Sequence, residues 1–208
     1  MRTIITLFFS SLFVSLILTP IVRELSLKLN LVDLPSGRKV HTTAISRVGG
    51  VAVFFAFLAC ISLSYFSQNN ITRELFTDIS FFYLLAGGGL IFLMGLIDDI
   101  LNLNAKIKLL AQIGVATLAY YGGMRITGVT FPFVEYLSTG ILSFPLTLFW
   151  FLIIINAVNL IDGLDGLAAG VSLLVCLILT LSGCLAKEFV VAAAFACLSG
   201  AILGFLKH

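Results

Sequence analysis

The sequence predicts an all-α fold, a polytopic bundle of helices that crosses a membrane several times. Of the 208 residues, 60% are hydrophobic and only 11% are charged, and the mean hydropathy is +1.16. A soluble domain normally carries about a quarter charged residues, so a water-soluble globular enzyme and a disordered chain are both excluded. The third observation is that the sequence contains long uncharged runs. A helix of about 20 apolar residues spans the hydrocarbon core of a membrane, so each such run is a candidate span.

Seven such runs predict seven transmembrane helices. The fourth is the shortest, and Lys106 and Lys108 are expected to snorkel to the interface and lengthen it. The predicted spans are residues 3–22, 48–72, 79–97, 109–124, 136–161, 166–186 and 189–206. Together they predict a single integral-membrane domain, residues 1–208.

The distribution of basic residues predicts the orientation. Seven spans place the loops after spans 1, 3 and 5 on one side, together with the C-terminal tail. That side holds Arg23, Lys28, Arg38, Lys39, Arg47, Lys106, Lys108 and Lys207, and the other holds Arg2, Arg73, Arg125 and Lys187. By the positive-inside rule the first side is cytosolic, so the N-terminus is external and the C-terminus cytosolic. The net charge of +2 does not indicate nucleic-acid binding.

The segment between the fourth and fifth spans, residues 125–133, is rich in β-branched and aromatic residues. This composition favours extended backbone over helix. The segment therefore predicts a small hairpin, or alternatively an interfacial patch, on the external side.

The first cytosolic loop, about residues 23–47, is long and basic. Arginine forks suit phosphate oxygens, and Gly49-Gly50 at a helix start leaves backbone N–H groups open to an anion. Ordinary positive-inside anchoring is the alternative interpretation. The residues that we expect to contact an anion are Arg38, Lys39, His41 and Arg47.

The second cytosolic loop begins with two adjacent carboxylates, Asp98 and Asp99, at the end of an apolar span. Acidic groups at a helix C-terminus oppose the helix macrodipole, so this placement costs stability. A site for a cation or a proton would explain it, and a solvated loop turn is the alternative.

The third cytosolic loop carries amides and carboxylates at every third position: Asn156, Asn159, Asp162 and Asp165. On a helix this spacing forms one slowly drifting polar stripe, and polar groups at the end of an apolar span are usually functional. Gly163 and Gly166 predict that the helix breaks after Asp162. Carboxylate and amide oxygens suit Mg²⁺; a polar turn between two spans is the alternative.

The three loops share one side of the membrane in the predicted topology. Carboxylates, amides and cations would therefore converge at the boundary between membrane and cytosol. Mg²⁺ usually binds through one or two protein ligands, while substrate phosphates and water fill its other positions. The sequence thus predicts a site for Mg²⁺ and a diphosphate.

Three motifs resemble those of the polyprenyl-phosphate N-acetylhexosamine-1-phosphate transferase family. They are the first-loop stretch at residues 38–50, the Gly-Leu-Ile-Asp-Asp stretch at 95–99, and the Asn-x-x-Asn-x-x-Asp-Gly-x-Asp-Gly stretch at 156–166. They occur in the family's order over nearly the whole chain. The first is similar to the branch that uses UDP-N-acetylglucosamine.

The resemblance implies transfer of N-acetylhexosamine 1-phosphate from a UDP-sugar to undecaprenyl phosphate, with release of UMP. This would be the first membrane step of a cell-envelope polysaccharide, at a cytosol-facing site in the bacterial inner membrane. It implies Mg²⁺ as the cofactor, with Mn²⁺ as a substitute, and it allows a homodimer.

The resemblance also implies roles for individual residues. Asp98 would activate or place the lipid phosphate, Asp99 would support the metal side, and Asn159 would bind Mg²⁺. Asp162 would orient that site, and Asp165 would contact the uracil or the ribose. Substrate contacts are further implied for Asn156, Lys106 and Lys108, the two lysines neutralising diphosphate oxygens and Lys108 being the better match.

The sequence departs from the family after its seventh span. Family members continue with a Met-Gly-Asp-x-Gly-Ser motif and a His-rich cytosolic loop, whereas this sequence ends at Lys207-His208. We therefore expect it to be the N-terminal portion of a longer transferase fold. Two other interpretations stay open at this point: a catalytically inactive membrane scaffold, and an ion-coupled transporter.

Overall fold

The computed structural model describes residues 1–29, 32–33, 45–46, 49–67, 69–131, 134–162 and 166–208. Within these residues the backbone forms eight α-helices and two small antiparallel strand pairs. In chain order the elements are α1 (Arg2–Lys28), β1 (Val32–Asp33), β2 (Ile45–Ser46), α2 (Gly50–Ser64), α3 (Asn70–Thr77), α4 (Ile79–Leu101), α5 (Ala105–Tyr121), β3 (Gly128–Phe131), β4 (Val134–Ser138), α6 (Ser143–Ile161), α7 (Leu167–Leu185) and α8 (Phe189–Leu206). Short 3-10 turns extend α2 to Ser67 and precede α6 from Gly140. The all-α membrane fold predicted from the sequence is confirmed.

Six helical segments of the described chain are long and apolar enough to cross a membrane. They correspond to six of the seven predicted spans. The segments are Arg2–Lys28, Gly50–Ser67, Ile79–Leu101, Gly140–Ile161, Leu167–Leu185 and Phe189–Leu206. The second ends earlier than predicted, because Asn69 begins the separate, amphipathic helix α3 by accepting a hydrogen bond from the Thr72 N–H.

The remaining predicted span, the fourth at residues 109–124, also forms a helix, α5, although its 17 residues make it the shortest of the seven. A helix of this length covers about 25 Å, slightly less than a typical hydrocarbon core of about 30 Å. Lys106 and Lys108 lie in its first turn, as the snorkelling argument requires. The seventh crossing therefore stays a prediction, supported by the packing of α5 described below.

The described residues divide into two compact units. Unit 1 contains residues 1–77 and 161–208, and unit 2 contains residues 78–160. In unit 1, helix α8 packs against α1, α2 and α7. The contact with α1 is close: the Ser15 hydroxyl donates to the Ala201 carbonyl at 2.6 Å. Such small-residue contacts are typical of membrane helix pairs.

The α1–α8 contact predicts opposite effects for two glycine-to-alanine changes in unit 1. A Cβ at Gly204 would lie 2.7 Å from the Leu12 carbonyl oxygen, whereas a Cβ at Gly170 in α7 would meet nothing within 4 Å. Overpacking typically costs about 1–3 kcal/mol, while alanine is favoured over glycine within helices by about 1 kcal/mol. In detergent, Gly204→Ala should lower the melting temperature and Gly170→Ala should leave it unchanged or raise it. Equal melting temperatures for the two variants would contradict this packing.

Unit 2 consists of α4, α5, the β3–β4 hairpin and α6. Three residues connect α4 to α5. The residue Gly123, just after α5, lies close to the start of α4, because a Cβ added there would be 3.3 Å from the Ser80 side chain. Helices α4 and α5 are therefore antiparallel. Beyond α5, the Ile126 N–H donates to the Thr147 hydroxyl near the start of α6 at 3.0 Å. Helix α5 is thus antiparallel to α6 as well. Because α5 runs alongside two helices that are long enough to cross a membrane, its packing supports a crossing by α5.

A hairpin begins within the segment 125–133, as expected, but its second strand lies beyond that segment. Strands β3 and β4 pair antiparallel, with Gly128 opposite Ser138 and Val129 opposite Leu137. The expectation that the fifth span begins at Tyr136 is wrong, because residues 136–138 belong to β4 and the helical span begins at Gly140. Tyr136 has strand propensity, and its hydroxyl donates to the Thr127 hydroxyl at 3.3 Å across the hairpin.

Candidate functional site

An ion pair joins the predicted acidic motif to the predicted lysine. Asp98 lies in the last turn of α4, and its Oδ2 is 2.6 Å from the Lys108 Nζ in the first turn of α5. Both side chains are partly exposed, and exposed pairs typically contribute about 0.2–1 kcal/mol. The pair therefore adds little to stability, but it fixes a carboxylate beside a cation that has further N–H donors available for an anion.

The turn between α4 and α5 holds Asp98 in place. The Asp98 Oδ1 accepts a hydrogen bond from the Leu103 N–H at 2.9 Å. Asn102 ends α4 in the left-handed region at φ 50°, a conformation that asparagine tolerates. Asn104 then caps α5, because its Oδ1 accepts from the Lys106 N–H at 3.1 Å. Both carboxylate oxygens of Asp98 thus have partners within the protein.

The amide motif lies at the same end of unit 2. In α6, the Asn156 side chain donates a hydrogen bond from Nδ2 to the Gln112 Oε1 at 2.9 Å. Gln112 is four residues after Lys108 on α5, so the two side chains share one face of that helix. We call the end of unit 2 that carries Asp98, Lys108 and Asn156 its polar end.

Three further predicted residues lie at the polar end, and all three are exposed. Asp99 follows Asp98 in the last turn of α4, Lys106 lies in the first turn of α5, and Asn159 lies in the last turn of α6. Asn159 is one helical turn beyond Asn156, so both amides share a face of α6. The predicted polar stripe is therefore present on α6 for its two amides.

Asp162 belongs to unit 1 and directly follows α6, which ends at Ile161. The predicted helix break is confirmed. Gly166 is the N-cap of α7 and has a left-handed backbone conformation with φ 72°. Desolvation by the surrounding protein raises the pKa of the Asp162 carboxyl above its ordinary value. The neutral form of Asp162 is thus favoured more than in a free aspartate.

Five predicted site residues lie outside the described part of the chain. Strands β1 and β2 pair Val32 with Ser46 and Asp33 with Ile45, and β2 lies within the first-loop motif at residues 38–50. Gly49 caps the start of α2, as the glycine pair predicts. The residues outside the description are Arg38, Lys39, His41, Arg47 and Asp165.

The donor set at the polar end suits Mg²⁺ only in part. Asp98 and Asp99 supply carboxylate oxygens, and Asn159 supplies an exposed amide oxygen, all of which are hard ligands. Within the described residues, no group of three or more His, Cys, Asp or Glu side chains could hold a metal ion. Mg²⁺ can bind through few protein ligands, with phosphates and water filling its other positions, and its binding here stays a prediction.

Gln112 is the residue at the polar end that the sequence reasoning did not single out. It is 2% exposed and lies within the apolar helix α5. A buried amide in such a run needs a partner, and its spacing of four from Lys108 was the available signal. Its partner, 44 positions further along the chain, could not be predicted from the local sequence.

These features define a class of protein: a multi-pass helical membrane protein with carboxylates, amides and lysines gathered at one end of a helical unit. Residues 81–208 match the sequence profile of glycosyl transferase family 4. The chain belongs to this family.

Named relatives support the same assignment. The chain is 38% identical over 175 residues to the "Probable undecaprenyl-phosphate N-acetylglucosaminyl 1-phosphate transferase" of Bacillus subtilis strain 168, a match covering 84% of this chain and 46% of the relative. It is 34% identical over 203 residues to the decaprenyl-phosphate N-acetylglucosaminephosphotransferase of Mycolicibacterium smegmatis, covering 90% and 48%. It is also 32% identical over 216 residues to the phospho-N-acetylmuramoyl-pentapeptide-transferase of Clostridium beijerinckii, covering 96% and 63%. The chain thus spans about half the length of the first two relatives.

Proposed function

We propose that the protein transfers N-acetylglucosamine 1-phosphate, or a related N-acetylhexosamine 1-phosphate, from a UDP-sugar to undecaprenyl phosphate and releases UMP. The observation that carries the proposal is the gathering of Asp98, Lys108, Asn156 and Asn159 at the polar end of unit 2. Membership of glycosyl transferase family 4 and the names of the relatives support the reaction class.

The reaction brings two anions together. An oxygen of the lipid phosphate attacks the phosphorus that bears the sugar, a new phosphorus–oxygen bond forms, and the bond from that phosphorus to the bridging oxygen breaks. UMP departs with the bridging oxygen. Because a phosphate oxygen is already ionised near neutral pH, positioning and charge neutralisation contribute more than proton removal does.

The ion pair at the polar end suits this task. Lys108 uses one of its three N–H donors on Asp98, so the others can contact diphosphate oxygens. Asp98 in turn holds the lysine in place and would set the position of the incoming lipid phosphate. Lys106, exposed in the same helical turn, would add a second positive charge.

The exposed oxygens at the polar end would hold the cofactor. Asn159 is the proposed ligand, with Asp99 supporting it and Asp162 orienting the site. Bound Mg²⁺, or Mn²⁺ in its place, would neutralise charge on the diphosphate. Desolvation raises the pKa of Asp162, and a positive charge beside this carboxyl would favour its charged form.

The proposed location is the bacterial inner membrane, with the polar end facing the cytosol. Six apolar spans support a multi-pass protein. The excess of basic residues in the loops after spans 1, 3 and 5 supports the orientation. A cytosolic site would give the reaction access to a soluble UDP-sugar.

UMP release tests the proposal directly. Membranes containing the full-length protein are incubated with UDP-N-acetylglucosamine, undecaprenyl phosphate and Mg²⁺, and UMP and lipid-linked sugar are both measured. We expect the two products in equal amounts and no reaction without the lipid. UDP-N-acetylmuramoyl-pentapeptide is the matched donor control, and its use in place of UDP-N-acetylglucosamine would reassign the branch. Absence of UMP with either donor would favour a non-catalytic scaffold.

A further inference from the structure

The buried amide Gln112 points to a role that the proposed site residues do not cover. Its Oε1 accepts a hydrogen bond from the Asn156 Nδ2 at 2.9 Å, between α5 and α6. Gln112 is 2% exposed, whereas Asn156 is exposed at the polar end. The contact therefore joins a residue inside the protein to a predicted substrate contact at its surface.

The hydrogen bonds of Asn156 determine which way its amide faces. Its Nδ2 donates both to Gln112 and to the Leu152 carbonyl, which lies 2.8 Å away in the preceding turn of α6. An asparagine amide has two N–H donors and one carbonyl oxygen. Because both donors are used within the protein, the Asn156 oxygen is the group left for a ligand. Such an oxygen accepts a hydrogen bond or binds a cation, and it repels phosphate oxygens.

One face of α5 organises both halves of the polar end. Lys108 and Gln112 are one helical turn apart. Lys108 pairs with Asp98 on α4, and Gln112 pairs with Asn156 on α6. The helix thereby fixes the acidic motif and the amide motif relative to each other through two neighbouring side chains.

We propose that Gln112 is a positioning residue for the transfer reaction, acting through Asn156. It holds the Asn156 amide so that the carbonyl oxygen faces the bound substrate and its cation. This inference rests on the proposed function. Without the glutamine acceptor one of the two Asn156 N–H donors loses its partner, and only the Leu152 carbonyl still holds the amide.

Kinetics of three variants test this role in the full-length protein. Gln112→Met keeps the length of the side chain but removes the acceptor, and we expect kcat/KM for the UDP-sugar to fall roughly tenfold, the usual effect of losing an outer partner of a site residue. Gln112→Glu retains an acceptor oxygen and should recover a large part of that loss. Thr117→Val is the matched control, because it removes only a hydrogen bond to the Ile113 carbonyl within α5.

A double-mutant cycle separates positioning from a general structural effect. If Gln112 acts through Asn156, Gln112→Met should cause no further loss in a protein that already carries Asn156→Ala. Equal losses from Gln112→Met in the presence and absence of Asn156 would overturn the inference, as would a glutamate variant no better than the methionine variant.

A structural measurement keeps this inference distinct from the proposed function. In ¹⁵N-asparagine-labelled protein, the Asn156 side-chain signal is the one that Asn156→Ala removes. We expect Gln112→Met to shift this signal and Thr117→Val to leave it in place. An unshifted signal in Gln112→Met would overturn the inference. If Gln112→Met shifts the signal but the unsubstituted protein releases no UMP, the proposed reaction is wrong. The orientation of Asn156 by Gln112 is then still supported.

Discussion

Replacing Asp98 with asparagine is expected to lower the transfer rate of the full-length protein by about 10²-fold or more, the scale of a positioned catalytic group. The variant removes the charge that pairs with Lys108 at 2.6 Å. It retains an oxygen that can accept from the Leu103 N–H, so the turn after α4 is preserved. The loss should therefore appear in kcat rather than in folding, and initial rates of UMP release measure it.

Asp78→Asn is the matched control for this variant. Asp78 lies at the opposite end of the same helix, where its carboxylate accepts a hydrogen bond from the Ser80 N–H at 2.8 Å. Asparagine caps helices about as well as aspartate does, so transfer should remain near the unsubstituted rate. A near-normal rate for Asp98→Asn would remove Asp98 from the mechanism.

Asn159→Ala is expected to raise the Mg²⁺ concentration needed for half-maximal transfer by roughly tenfold or more, the scale of losing a group that supports a metal site. Asn159 is exposed in the last turn of α6, so truncating it leaves no cavity inside the protein. Titration of the rate with Mg²⁺, with UDP-sugar held constant, gives this value. Chelation of the metal should stop transfer in both proteins.

Val158→Ala provides the comparison for the metal titration. Val158 precedes Asn159 on α6 and is also exposed, but it offers no oxygen to a cation. Its Mg²⁺ titration should coincide with that of the unsubstituted protein. If Asn159→Ala gave the same coincident curve, Asn159 would not be a ligand.

The helical fold follows closely from the sequence because apolar runs of this length have few alternatives in a membrane. The start of the fifth span is the exception, since residues 136–138 are apolar enough for a span but pair with β3 as a strand. Gly140 has a positive φ and lies at the point where the strand ends and the helical span begins. Hydropathy alone does not register this change in backbone direction.

The candidate site was predicted in composition but not in its contacts. Asp98 and Lys108 were both identified from the sequence, yet their ion pair depends on the tight turn capped by Asn104. Gln112 was missed because its partner, Asn156, lies on another helix. Local patterns reveal which side chains are unusual for a membrane span, whereas pairings between helices depend on packing that spacing does not encode.

In the proposed mechanism, the end of α4 and the end of α6 bind one divalent cation. Fe²⁺ bound in place of Mg²⁺ cleaves nearby backbone when ascorbate and peroxide are added, and sequencing the fragments of the full-length protein locates the cuts. We predict cuts beside both Asp98 and Asn159, about sixty positions apart in the chain, and suppression of both by excess Mg²⁺. Cuts beside only one of these residues, or beside neither, would contradict the claim.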